Sequence, residues 1–219
     1  MKVSVSPAKR EAAATRSGIA TAREMLAPLS ESDRLIGLTG GQYSLIDVLE
    51  ALLEMTGPAE VVVATWTAGV RDAEMAKRLD VQGAITRLRL VVDRSFPTRQ
   101  PQYVDRVREL FGEQAIRVTN IHAKFLVVGP FLVRTSMNLN RNRRIELVEI
   151  DRDSDLVAWW LDQVVEPLWQ DMPPGINPGY RAVKRQFDAE WGTIDAPDDV
   201  REDLLDWTEL TKTIGGWDA

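Results

Sequence analysis

The chain carries a single histidine, His122, inside the stretch VTNIHAKFLVVG at residues 118–129, with Lys124 two residues further on. An apolar run of this kind reads as a strand, and a charged side chain inside a strand needs a partner or a purpose. Alternation along a strand puts His122 and Lys124 on one face of the sheet. Thr135, Ser136, Met137 and Asn138 form a turn-like stretch at the end of the next strand, FLVRTS, and Glu146 stands in the one after it, RIELVEI. A hairpin or meander through these strands gathers an imidazole, an ammonium, a hydroxyl, a carboxamide and a carboxylate at one end of a sheet. Such a set suits phosphoryl transfer. It offers a nitrogen nucleophile, a cation and neutral donors for the nonbridging oxygens, and a carboxylate to hold the imidazole in one tautomer. Each residue taken singly also has an ordinary reading: a hydrogen-bonded core histidine, a Ser/Asn turn, one end of a strand ion pair.

The elements that must position this set alternate along the chain. Residues 8–27 combine Ala with Arg and Glu at helical spacing and end at Pro28, which predicts a helix. RLIGLTGG (34–41) reads as a short strand closed by glycines, and SLIDVLEALLEMTG (44–57) as an amphipathic helix opened by Ser and closed by Gly. AEVVVATWT (59–67) and RLRLVVD (87–93) are strands, separated by the helical RDAEMAKRLDVQGA (71–84). A further helix, PQYVDRVRELFGE (101–113), precedes strands IRVTN and IHAKFLVVG, and SDLVAWWLDQVVEPLWQ (154–170) forms a long helix opened by a Ser cap. This order implies an α/β fold: a mixed, mostly parallel sheet flanked by helices on both faces. Trp66, on the AEVVVATWT strand, falls near the sheet edge where the site should lie, placed to wall it or to stack on a base.

Composition narrows the function classes. The 219 residues include no cysteine, so thiolate catalysis, disulfides and Cys-based zinc are excluded, and with one histidine a structural zinc site is not expected. No run reaches membrane-span length and the start lacks a secretory apolar core, so a cytoplasmic protein without membrane contact is the expectation. The formal net charge is −6, and residues 195–219 alone carry eight acids and two bases. The remainder therefore sums to zero and is free to present a local basic patch to nucleic acid. Within it Arg141, Arg143 and Arg144 follow Asn138 directly, as phosphate-backbone contacts or as a solvated basic loop.

These residues resemble the phospholipase D superfamily, whose signature is H-x-K, four residues, D, six residues, G-S-x-N. His122, Lys124, Ser136 and Asn138 fall on it, and Glu146 sits where members commonly keep an acid after the motif. The resemblance covers roughly residues 33–170, leaving 1–32 as an N-terminal helical segment and 171–219 as a Pro-containing linker with an acidic tail. It departs in three ways: the motif aspartate falls at Gly129, the spacing to T-S-x-N is one residue short, and Thr135 replaces glycine.

The resemblance implies a metal-independent phosphodiesterase without cofactors. Its catalytic set would be His122, Lys124, Ser136, Asn138 and Glu146, with Arg141, Arg143 and Arg144 binding substrate. Family members use two histidines, one to attack phosphorus and one to protonate the leaving oxygen. The small single-motif members are bacterial nucleases, which implies a homodimer with one composite site. A catalytically degenerate nucleic-acid-binding or assembly module is the alternative, motivated by the missing aspartate, and a lipid-directed phosphodiesterase is a third reading.

Overall fold

The computed structural model describes residues 18–99, 101–140 and 144–171. In chain order its elements are α1 (Gly18–Leu26), β1 (Arg34–Thr39), α2 (Leu45–Thr56), β2 (Ala59–Thr65), α3 (Val70–Val81), β3 (Ile85–Asp93), α4 (Phe96–Arg99) and α5 (Pro101–Phe111). There follow β4 (Ile116–Thr119), β5 (Phe125–Val128), β6 (Phe131–Thr135), β7 (Glu146–Arg152) and α6 (Ser154–Trp160). A π-helical stretch, Leu161–Val165, then leads into α7 (Glu166–Asp171).

Local chemistry sets several of these boundaries. At the start of α2 the Ser44 backbone N–H and hydroxyl both donate to Asp47 Oδ2, at 2.8 and 2.7 Å. Gly57 ends that helix, its N–H donating to the Leu53 carbonyl at 2.9 Å. The long C-terminal helix begins one residue earlier than the expected serine cap. Asp153 is the cap, its carboxylate accepting from the N–H groups of Asp155 and Leu156 at 3.0 and 2.9 Å. A carboxylate accepts these bonds more strongly than a hydroxyl and also favours the positive end of the helix dipole.

Seven strands form one sheet in the order β1-β7-β6-β5-β2-β3-β4. It is mixed, with helices against both faces, as the alternating sequence implied. Parallel pairing is narrower than expected, being confined to β2–β3 and β3–β4. The other four pairings are antiparallel. Helical crossovers run from β1 through α2 to β2, through α3 to β3 and through α5 to β4, and the chain then reverses through tight links, as at Gly129 and Pro130 between β5 and β6.

Alternate residues of the strands feed two apolar layers. Val61, Val63, Leu90, Val92, Leu126, Val128, Val133 and Val148 join the layer shared with α1, α2 and α3. Val62, Ala64, Val91, Phe125, Val127 and Leu132 pack beneath Val157, Val165 and Trp169 of the C-terminal helix. Complete burial of a side chain such as Leu126 or Phe125 contributes about 2–3 kcal/mol, so these layers dominate the fold energetics. Two arginines fasten the C-terminal helix. Arg89 Nη1 donates to Glu166 Oε1 at 2.5 Å, and Arg117 Nε donates to the Trp169 carbonyl at 3.0 Å while its guanidinium lies 4.1 Å from the Trp169 ring centroid. Among the described residues no helix is long and apolar enough to cross a membrane. The readings made for residues 1–17, for the tail from residue 172, and for Arg141 and Arg143 lie outside the described residues.

Candidate active site

The strand carrying the motif is shorter than its sequence implied. The β2 ladder reaches β5 only from Phe125, opposite Ala64. His122 and Lys124 therefore lie in the segment leading into β5 rather than within it, and the His122 ring is exposed. Beyond the pair of Ala64 and Phe125 the Thr65 hydroxyl donates to the Thr67 carbonyl at 2.7 Å and accepts from Leu139 N–H at 3.0 Å. One bond on the other side persists, Thr135 N–H to the Lys124 carbonyl at 3.1 Å. The imidazole thus stands at the open end of the sheet, which explains why an apolar run tolerates it.

Several strand ends meet at this edge. The carboxyl ends of the parallel strands β2, β3 and β4 bring Thr65, Asp93 and Thr119; the amino end of β5 brings Lys124; β6 ends at Thr135 and β7 begins at Glu146. Ligands in open α/β sheets bind outside the carboxyl ends of such parallel strands.

Lys124 Nζ donates to the His122 carbonyl at 2.7 Å and lies 3.1 Å from Nε2 and 3.2 Å from Nδ1 of the same residue. Trp66 supports both. Its ring meets the His122 ring edge-on at 5.5 Å between centroids and 67° between planes, and Lys124 Nζ lies 5.9 Å from its centroid. Partial burial holds the Lys124 ammonium below the ordinary lysine range, while the carboxylates of Glu146 and Asp93 pull the other way.

The β6–β7 end supplies the next group. Ser136 Oγ donates to Glu146 Oε2 and accepts from Leu147 N–H at 2.9 Å. Thr135 Oγ1 donates to the Leu147 carbonyl at 2.6 Å and accepts from Met137 N–H at 3.0 Å. The hydroxyl that replaces the family glycine therefore braces this turn. Leu139 forms a bridge with Ala68 and accepts from Gly69 N–H at 2.7 Å, tying the stretch that carries Asn138 to the loop after β2 that carries Trp66. Asn138 is half-buried, and among the described residues its Oδ1 has no hydrogen-bond partner. Arg144 is exposed just before Glu146.

Two features were not foreseen. Asp93 is buried at the end of β3, and its Oδ1 accepts from the Ser95 hydroxyl and, at 2.8 Å, from Ser95 N–H. The signal was an acid directly after the apolar run of Leu90, Val91 and Val92 in RLRLVVD. Gly129, the position matching the family aspartate, sits at the opposite end of β5 from Lys124, roughly 16 Å along an extended chain. It lies in the link between β5 and β6 with φ of 53°, a left-handed conformation that favours glycine. Replacement of the aspartate there removes no group from the His122 end of β5.

No protein-family model matches the chain, and no curated protein matches it in sequence. Solved structures do. The phosphatidylserine synthase of Haemophilus influenzae superimposes with a TM-score of 0.52, at 12% identity, over 79% of this chain and 47% of its own. The chain thus spans about half of that synthase. Nuc from Salmonella typhimurium, a phospholipase D family member, gives 0.48 at 13% identity over 65% of this chain and 97% of its own. NucT from Helicobacter pylori gives 0.42 at 12% identity, over 65% and 99%. The chain shares the fold of that synthase.

Proposed function

We propose that the chain is a metal-independent phosphodiesterase acting on nucleic acid, working as a homodimer through a phosphohistidine intermediate. What supports this reading is that the segment carrying His122 and Lys124 bonds to the end of β6 at Thr135, next to Ser136 and its bond to Glu146, at one end of the sheet. An exposed imidazole ring nitrogen attacks phosphorus, forming an N–P bond as the P–O bond to the leaving group breaks. His122 of the partner subunit, protonated, gives its proton to that oxygen. Water then attacks the phosphohistidine, the neutral partner imidazole takes the water proton, and the N–P bond breaks to restore both rings. Lys124 and Asn138 hold the nonbridging oxygens, and Glu146 orients the constellation through Ser136. Arg141, Arg143 and Arg144 track the substrate backbone.

The test is incubation of the full chain with single-stranded DNA, double-stranded DNA, RNA, a phospholipid and a chromogenic phosphodiester in EDTA, beside His122→Ala. EDTA-resistant cleavage of nucleic acid, lost in the variant and accompanied by an acid-labile phosphoenzyme, supports the reading. Cleavage of the phospholipid alone moves the substrate class to lipids. Binding of nucleic acid with no cleavage leaves the assembly-module reading in its place.

A further inference from the structure

The C-terminal helix covers one face of the sheet over β5, β6 and β2 but leaves part of the same face open at β7 and β1. Cross-strand register puts Leu38 opposite Leu147, Ile36 opposite Glu149 and Arg34 opposite Asp151. Leu38 is 71% exposed, Ile36 66%, Leu147 45% and Ile145, immediately before β7, 78%. These are four of the seven large hydrophobics exposed among the described residues, gathered on two neighbouring strands. Scattered exposed apolar residues are ordinary, whereas a contiguous strip marks a contact surface.

Charge identifies the occupant. The strip is bordered by Arg34 and Arg134 against Glu149 and Asp151, with Arg34 Nε 2.6 Å from Asp151 Oδ1 and Arg134 Nη2 3.2 Å from Glu149 Oε1. Two cations and two anions around an apolar centre are neutral as a set. A nucleic-acid surface would be net positive, and a membrane surface would strand four charges. A self-complementary surface suits an isologous two-fold contact, in which the apolar centre meets itself and arginines meet carboxylates.

The strip also runs into the site. Leu147 follows Glu146, its N–H donates to Ser136 Oγ, and its carbonyl accepts from Thr135 Oγ1 and from Ser136 N–H. We infer that Ile36, Leu38, Ile145 and Leu147 form the seam on which a second copy of this chain docks, setting two half-sites side by side. This rests on the composite-site reading, since a chain with one histidine cannot both attack phosphorus and protonate the leaving group in a single step.

The chain has no cysteine, so Leu38→Cys introduces the sole thiol. Mild oxidation of Leu38→Cys in the full chain is expected to give a disulfide-linked dimer. Val81→Cys, on a residue 76% exposed on α3, is expected to stay single under the same conditions. Leu38→Lys is expected to raise the dimer dissociation constant about 100-fold in sedimentation while leaving the far-ultraviolet dichroism unchanged. Ile36→Lys serves as the second variant should the first fail to fold. A parent chain monomeric at high micromolar concentration, or a dimer indifferent to both lysines, overturns the inference. Cleavage is assayed in parallel. A strip-dependent dimer without cleavage sinks the phosphodiesterase reading and leaves the seam standing, whereas full cleavage by a monomeric lysine variant sinks the composite site and with it the claim that the seam sets two half-sites side by side.

Discussion

Lys124 Nζ lies within 3.2 Å of both ring nitrogens of His122 and 2.7 Å from its carbonyl oxygen. An ammonium only donates, so the His122 carbonyl oxygen is the acceptor of the shortest of these contacts. With one histidine in the chain, its Hε1 proton gives one resonance. Inorganic phosphate should shift that resonance in the parent and leave it unmoved in Lys124→Met. Cleavage by Lys124→Met should fall about 100-fold or more.

The same variant tests an energetic consequence. Burial depresses the Lys124 ammonium, so the folded chain binds that proton less tightly than the unfolded chain does. The charge therefore opposes folding at all pH values below the depressed value, and the opposition fades as pH rises from there to the ordinary lysine value. Lys124→Met should melt higher than the parent at pH 7, with the gap narrowing toward pH 11. A lower melting temperature at pH 7 would show that the Lys124 bond to the His122 carbonyl outweighs desolvation.

Asp93 and Glu146 together support the ammonium. Asp93→Asn keeps an oxygen for the Ser95 N–H but removes the charge. Without it Lys124 should lose its proton at lower pH, and the alkaline limb of the kcat/KM profile should move toward neutrality. A profile unmoved in Asp93→Asn would reduce Asp93 to a turn cap for Ser95.

Ser136 Oγ connects Glu146 to the Leu147 N–H. Ser136→Ala leaves both groups short of a partner, and a destabilisation of about 1–2 kcal/mol follows, read from chemical denaturation. Trp66→Ala should lower cleavage about tenfold by freeing the His122 ring, whereas Trp66→Phe keeps an aromatic edge and most of the activity.

Restoring the family aspartate makes a sharper test. Gly129→Asp places a Cβ 2.9 Å from Thr56 Cγ2, at a φ of 53°, on the far end of β5 from His122. It should cost about 1 kcal/mol of stability and add no activity, checked by thermal melts and the chromogenic assay.

Much of this was legible in the residues themselves. The alternation of apolar periods 2 and 3.6 gave away β1 to β4 and their helices, because burial on a sheet face and along a helix stripe imposes those periods locally. The motif residues were readable as chemistry because an imidazole, an ammonium and a carboxamide cost too much inside an apolar frame to be there without partners. What the sequence by itself determined, then, was the layered α/β frame and the candidate set from His122 to Glu146. Tertiary structure decided the rest. Whether β5 holds His122 inside a ladder depended on where its pairing with β2 begins, at Phe125 opposite Ala64, a contact between segments about 60 residues apart in sequence. Asp93 joined the site, and Gly129 left it, according to which strand ends the sheet order brings together. Leu38 and Leu147 became an open strip because the C-terminal helix stops short of them. Such outcomes depend on pairings between distant segments, and the periodicity of any single segment does not encode its neighbour.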